Sequence, residues 1–290
     1  MKRALAALFI ASLAPALAAQ VDSGSVRHYF RPNNAGVGNV SASAVEEPDI
    51  FGSSNLTYHG GPVIISAKVV FIFWGPNFQN VSSPDYQYAQ TLIAFRNQFG
   101  QTGEFNVITQ YYQTGPQYIQ KTNLGSGTPD WFDTSNPPTN VTDAIVQGEV
   151  SAYLTSHAFD ASTVYEVVIP SSSYSSDGSA TSCGGPQLTY CAYHGYFNSG
   201  SNAVKYSIEP YPSCSGCQVS GWTAVQNQEH FVCHETREAV TDQQLNAWYD
   251  RSGNEADDKC AWSPTPFIGT GGYSYQYEWS NASRGCVKTR

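Results

Sequence analysis

The stretch EHFVCHETREAVTD, residues 229–242, brings together the side chains best suited to chemistry. His234, Glu235 and Glu238 form a His-Glu-x-x-Glu pattern, which differs by one side chain from the His-Glu-x-x-His motif of zinc peptidases. On a helix, His234 and Glu238 lie one turn apart and point the same way, as two ligands of one metal ion must. Glu235 lies about 100° around the helix, in the position of a base that takes a proton from water. The pattern therefore predicts a metal-binding helix with Glu235 as a catalytic residue.

A second pair with the same spacing, His230 and His234, competes with this interpretation. Two imidazoles are the more usual zinc ligands, but His230 and Glu238 start about 12 Å apart along the helix axis, too far to share one ion. His234 is followed by the acid Glu235, whereas His230 is followed by Phe231. We therefore expect His230 to support or pack against the site.

The third metal ligand is expected downstream, in LNAWYDRSGNEADDKC, which offers Asp250, Glu255, Asp257 and Asp258. Glu255 is the preferred candidate because it follows a glycine turn and lies about 20 residues beyond the motif, as in one zincin branch. His194, on a predicted strand, is expected to bind substrate or to stabilise an oxyanion.

A site of one histidine and two carboxylates nearly cancels the charge of a divalent ion. Zinc is the favoured ion, and an oxygen-rich site also accepts harder ions such as Mn²⁺ or Ca²⁺. The competing interpretation is a solvated helix face with ordinary surface ion pairs. A helical wheel favours the metal site, because one side of the helix, opposite His234 and Glu238, gathers the residues expected to pack on the sheet: Trp222, Val225, Val232, Cys233, Thr236, Ala239 and Val240.

Strands and helices are predicted to alternate ahead of this helix. Apolar or β-branched runs predict strands at 66–75, 104–113 and 162–171, helical spacing predicts helices at 85–100 and 141–159, and a strand pair is expected at 187–197 and 203–211. Such alternation predicts an α/β (α+β) fold, a single zincin-like domain. Its sheet should be mixed and mostly parallel, with an antiparallel edge strand, packed helices and a disulfide-stapled irregular C-terminal part.

The first 19 residues have the basic start, short apolar core and Ala-x-Ala exit of a secretory signal peptide. Residues 20–56 are expected to be an extended or disordered lead-in, and residues 57–290 a single catalytic-type domain with an irregular Cys-rich tail from 242. No later run is apolar enough to cross a membrane. The protein is therefore expected to be secreted, in the extracellular space, periplasm or cell wall.

The chain is acidic, with a formal net charge of −9. Loss of the signal peptide would remove Lys2 and Arg3 and no acid, which argues against nucleic acid or an anionic membrane surface as a partner. We expect a polypeptide or another extracellular polymer as substrate. The sequence does not indicate an oligomeric state.

Seven cysteines follow the predicted signal, and an oxidising compartment favours disulfides between them. Local pairing would join Cys183 to Cys191, Cys214 to Cys217 and Cys260 to Cys286, although spacing does not fix connectivity. Cys233, on the predicted metal helix, is then the odd thiol.

The segments LTYHGGPVI, VVFIFWG, CAYHGYF and HETREAVTD…NAWYD…GNEADDKC together resemble the phosphate-induced protein 1 or EXORDIUM-like family over about residues 56–262. The likeness is to microbial members with a His-Glu-x-x-Glu motif; this chain has Gln243 where a proline usually stands, and Asn254 between Gly253 and Glu255. The resemblance implies a secreted or wall-associated protein. Similar plant members, which are associated with growth, lack the cluster, which implies that the fold can serve without metal chemistry.

Two functions follow from the sequence. The leading one is a secreted metal-dependent hydrolase, preferably a zinc metallopeptidase, in which His234, Glu238 and Glu255 bind the ion while Glu235 and His194 act on substrate or water. The alternative is a non-catalytic extracellular cell-wall or signalling protein of the EXORDIUM-like type.

Overall fold

A computed structural model of the chain describes residues 26–33, 54–127 and 129–290. The helices are α1 (Pro84–Phe99), α2 (Gly103–Asn106), α3 (Asp143–Leu154) and α4 (Ala224–Thr241). The strands are β1 (Val26–Phe30), β2 (Thr57–Tyr58), β3 (Lys68–Trp74), β4 (Tyr112–Gln113), β5 (Gln117–Tyr118), β6 (Trp131–Asp133), β7 (Asn140–Thr142), β8 (Thr163–Val168), β9 (Tyr174–Asp177), β10 (Ala180–Thr181), β11 (Ala192–Ser199), β12 (Asn202–Glu209), β13 (Trp248–Tyr249), β14 (Phe267–Ile268), β15 (Ser274–Tyr275), β16 (Glu278–Ser280) and β17 (Gly285–Val287).

The main sheet has six strands in the order β1-β11-β12-β8-β3-β6. The pairs β12–β8, β8–β3 and β3–β6 are parallel, whereas β1–β11 and β11–β12 are antiparallel. The predicted mixed, mostly parallel sheet with an antiparallel edge is therefore confirmed. The register aligns His28 with His194 and His194 with Ser207, so the two histidines lie on the same face of neighbouring strands.

Helices cover both faces of this sheet, as the apolar runs of β3 and β8 require. On one face, Val69, Phe71 and Phe73 of β3 join a core that also includes residues of α1 and α4. On the other face, Val70 and Ile72 pack in a second core with residues of α3. Alternate residues of one central strand thus serve two cores, and α4 lies on the face that carries His28 and His194.

Helix α4 starts with a capping box, in which Thr223 accepts a hydrogen bond from the Gln226 amide while the Gln226 side chain accepts one from the Thr223 amide. All its residues from Asn227 to Thr241 are buried. The expectation that the side carrying His234 and Glu238 faces away from the core is therefore wrong. Strand β1 and the C-terminal segment cover that side, so its charged residues lie inside the protein.

Two stretches differ from the sequence-based expectations. Residues 104–113, predicted as a strand, form α2, a 3-10 turn and the short β4, and β6 takes the place beside β3. Residues 26–30, within the expected extended or disordered lead-in, pair with β11, so the domain includes residues before 57. Residues 20–25 and 34–53 of that lead-in, like the predicted signal peptide, lie outside the described residues.

Three disulfides staple the C-terminal half, as expected in outline. Cys260–Cys286 is the predicted pair, but the other two join Cys183 to Cys214 and Cys191 to Cys217, so both predicted short-range pairs are wrong. The pairs cross because the 183–191 and 214–217 segments run beside each other. Cys233 is a buried free thiol, as predicted. Three disulfides are consistent with an extracellular protein, and no described helix is long and apolar enough to cross a membrane.

Candidate metal centre

Helix α4 brings the predicted motif residues into one buried cluster. His234 Nε2 lies 3.1 Å from Glu238 Oε2, the i,i+4 approach that the sequence predicted. Glu235 points to the sheet, where its Oε2 is 3.1 Å from His194 Nδ1 of β11. Glu238 Oε2 lies 3.7 Å from the same His194 nitrogen. His194 and Glu235, the two residues expected to act on substrate or water, therefore lie side by side and next to Glu238.

Gln276 fixes the orientation and the tautomer of His234. Its side-chain amide donates to the backbone oxygen and to Oδ1 of Asp257, at 2.8 and 2.7 Å. Its Oε1 can then only accept, from His230 Nε2 at 2.8 Å and from His234 Nδ1 at 3.1 Å. Because His234 carries its proton on Nδ1, its Nε2 lone pair faces Glu238. His230 packs against the site, edge-on to Phe30, rather than joining it.

The four downstream acids have separate roles. Asp250 accepts from backbone amides of its own turn and pairs with Lys259. Asp257 pairs with Arg237. Glu255 and Asp258 reach the cluster instead: Asp258 Oδ1 lies 3.7 Å from His234 Nε2, and Glu255 Oε2 lies 3.5 Å from His194 Nε2.

His28 is a site residue that the sequence analysis did not identify. It lies on edge strand β1, directly opposite His194, with the two rings stacked at a centroid separation of 5.9 Å. Its Nδ1 is 3.3 Å from Glu255 Oε2, and its Nε2 is hydrogen-bonded to Asp258. The signal available in the sequence was the short run VRHYF, whose β-branched and aromatic residues favour a strand.

Two groups of ligand atoms in the cluster are compact enough for a metal ion. Within each group the atoms lie within 4.8 Å of one another; one group is His28, Glu238 and Asp258, and the other is His194, Glu235 and Glu238. A third group, Cys183, Cys214 and Cys217, lies within the two disulfides, so its sulfurs are not thiolates. Glu238 is the residue common to the first two groups.

The cluster holds fewer protons than its contacts require. Five imidazole nitrogens face carboxylate oxygens: both nitrogens of His28, both of His194, and Nε2 of His234. If all three imidazoles were neutral they would carry three protons, and His234 donates one of these to Gln276. Two protons remain for five contacts, so the others need added protons or a cation.

Several atoms of the cluster have no hydrogen-bond partner among the described residues. They are His194 Nε2, His234 Nε2, Glu235 Oε1, Glu238 Oε2, and both carboxylate oxygens of Glu255, all in residues at most 2% exposed. A buried carboxylate without hydrogen bonds costs several kcal/mol unless a cation or a proton compensates it. Imidazole nitrogens and carboxylate oxygens of this kind are the ligands that divalent metal ions bind in proteins.

The electrostatics of the metal-free cluster agree with this deficit. Burial and the neighbouring carboxylates raise the pKa values of Glu235, Glu238 and Glu255. Burial opposes the charged form of His28, but Asp258 outweighs it and raises the pKa of His28 to about 9. These shifts favour the protonated forms of Glu235, Glu238 and Glu255, from which a bound cation would displace protons.

Solvent reaches the cluster on both sides of His28. The His28 side chain is 25% exposed and that of Asp258 is 14% exposed, whereas His194, His234 and Glu238 are closed off. One opening, with a volume of about 380 Å³, is lined by His28, Asp258 and Trp262 among others. A second, of about 170 Å³, is lined by His28, Glu255 and Tyr249. A substrate would meet the site at these openings.

No known protein family, no curated protein and no solved structure matches this chain. The resemblance to the EXORDIUM-like family therefore stays a prediction from its motifs.

Proposed function

We propose that this chain is a secreted metal-dependent hydrolase, with a peptidase as the preferred class. The observation that supports it most directly is the pair of acceptor atoms in the C-terminal half of α4. His234 Nε2 and Glu238 Oε2 lie 3.1 Å apart, and the proton of His234 is on its other nitrogen, which donates a hydrogen bond to Gln276. Two ligands of one tetrahedral zinc ion, each about 2.0–2.2 Å from it, lie roughly 3.3 Å from each other.

His234 and Glu238 would hold the ion, and Asp258 is better placed than Glu255 to complete the set. Asp258 Oδ1 lies 3.7 Å from His234 Nε2, whereas Glu255 turns to His194 and His28. A divalent ion held here would act as a Lewis acid and lower the pKa of water.

Glu235 is the residue we assign as the base. Its Oε2 is anchored at His194 Nδ1, and its buried Oε1 has no hydrogen-bond partner in the part of the chain that the structure describes, so Oε1 is the atom that would receive a proton. His194 would orient this carboxylate, which refines its expected role in binding substrate. The order of a mostly parallel sheet, an antiparallel edge and then the metal helix also supports the zincin-like layout predicted from the sequence.

The experiment is a hydrolysis assay on the purified mature chain with a library of fluorogenic peptides. We expect cleavage that a chelator abolishes and that Zn²⁺ or Mn²⁺ restores. Glu235→Gln should lower kcat by about 10²–10⁴-fold, the contribution of a general base, while the ion at His234 and Glu238 is retained.

The matched control is Glu229→Gln, which changes another buried glutamate of α4, one that accepts a hydrogen bond from the Ser274 amide. This variant should keep kcat within a few-fold. A metal-loaded chain that cleaves no peptide would support the non-catalytic extracellular alternative, and equal losses in both variants would refute the role of Glu235.

A further inference from the structure

We infer that the cluster is a two-ion centre in which the Glu238 carboxylate bridges the metals. The inference rests on the proposed function for the first ion and adds a second, which the His-Glu-x-x-Glu motif does not indicate. The first ion would lie among His28, His234, Glu238 and Asp258. The second would lie among His194, Glu235 and Glu238.

The position of Glu238 is the first argument. Its Oε2 lies 3.1 Å from His234 Nε2 and 3.7 Å from His194 Nδ1, so one carboxylate oxygen faces ligands of both groups. Its Oε1 accepts a hydrogen bond from the Asp258 amide at 3.0 Å, which holds the carboxylate in this orientation. Paired catalytic metals lie about 3.5–4 Å apart, a distance that one carboxylate can span.

Charge is the second argument. Glu235, Glu238, Glu255 and Asp258 would contribute four negative charges to one buried cluster. Among the described residues, no Lys or Arg forms an ion pair with these four acids, and the nearby Arg237 is engaged by Asp257 and Glu278. His28 pairs with Glu255 and Asp258 in the metal-free chain, but as a metal ligand it would be neutral and add no charge. One divalent ion would leave about two buried negative charges uncompensated, and two ions would balance all four.

The proton deficit is the third argument, because it occurs in both groups. A neutral His194 has one proton for two nitrogens that face Glu235 and Glu255, at 3.1 and 3.5 Å. Whichever nitrogen is protonated, the other points a lone pair at a carboxylate. His234 Nε2 likewise points a lone pair at Glu238. Each of the two proposed ion positions therefore has a nitrogen lone pair facing a carboxylate oxygen, a contact that a cation would stabilise. Glu235 would bind the second ion through Oε2 and keep Oε1 for the proton of the proposed reaction.

The test is metal stoichiometry and magnetic coupling in the full mature chain. The chain is stripped with a chelator and reloaded with Mn²⁺, and bound metal is measured by mass spectrometry after gel filtration. We expect two Mn²⁺ per chain and an exchange-coupled electron paramagnetic resonance spectrum. Asp258→Asn and Glu235→Gln should each leave one ion and the six-line spectrum of isolated Mn²⁺. Glu229→Gln and the surface change His157→Gln should keep two coupled ions.

The outcomes separate this inference from the proposed function. One ion per chain in the wild type, or two ions without coupling, would overturn the bridged centre while leaving a one-metal hydrolase intact. Two coupled ions in a chain that hydrolyses nothing would support the centre and refute the hydrolase. The wild-type spectrum decides the matter even if a variant fails to fold.

Discussion

Gln276 offers the sharpest test of how the site is positioned, through the substitution Gln276→Leu. The side chain is fully buried and makes five hydrogen bonds: it accepts from His230 and His234, donates to Asp257 twice, and donates to the Tyr277 carbonyl. Leucine fills a similar volume but leaves two imidazole donors unpaired, at about 1–3 kcal/mol each. We therefore expect the free energy of unfolding of the metal-free chain to fall by about 2–6 kcal/mol. Metal affinity should fall separately, by about 10–100-fold, because the tautomer and ring orientation of His234 are no longer fixed.

The assay pairs urea unfolding of the metal-free chain with calorimetric titration of Zn²⁺. The control is Gln228→Leu, on the same helix. Gln228 is equally buried, donates to Glu209 at 2.9 Å and accepts from Tyr88 at 2.6 Å, and among the described residues its side chain forms no hydrogen bond with the cluster. It should lose comparable stability and keep its metal affinity within about threefold. Unchanged Zn²⁺ affinity in Gln276→Leu, or an equal loss in Gln228→Leu, would refute the reasoning.

Three further outcomes are expected elsewhere in the chain. Burial raises the pKa of Glu149 from 4.5 to about 8, so the folded state keeps a proton that the unfolded state releases, and stability falls as pH rises through that window. In urea titrations, the free energy of unfolding of Glu149→Gln should therefore rise relative to that of the wild type as the pH increases from about 5 to about 8. A difference that stays constant with pH would contradict this. Burial raises the pKa of the Cys233 thiol to about 12, so a maleimide should label it only after unfolding, and labelling of the native chain would count against its position. Arg237→Met leaves buried Asp257 and Glu278 unpaired and should cost about 3–5 kcal/mol in unfolding free energy, whereas a loss below about 1 kcal/mol would mean that the ion pair is not formed.

The sequence predicted the features that depend on local pattern. The continuous apolar run of β3 and the helical spacing of α1 and α4 correspond to elements of the structure within a few residues. The strand pair β11–β12 and the antiparallel edge were also predicted, because short periodic runs with a turn between them have few alternatives. The i,i+4 approach of His234 and Glu238 is a property of helix geometry alone.

Features that depend on long-range packing could not be predicted in this way. The wheel placed His234 and Glu238 opposite the core, but it carries no information about the C-terminal segment that buries them. Residues 104–113 alternate like a strand, yet Thr102 caps a short helix there by accepting from the Phe105 amide. The disulfide partners depend on which loops lie side by side. His28 is 166 positions before His194 in the chain, and only the pairing of β1 with β11 makes them neighbours.

The position of His28 ties the proposed metal centre to how the N-terminus of the chain is processed. His28 and Asp258 meet although they are 230 residues apart, and among the described strands β1 pairs with β11 alone. A protease that trimmed the chain past residue 28 would remove one ligand and uncover Glu255 and Asp258, while the parallel strands that carry the core would stay paired. Cleavage near residue 19 leaves this ligand in place. N-terminal trimming past residue 28 would therefore lower metal occupancy while the rest of the fold is kept.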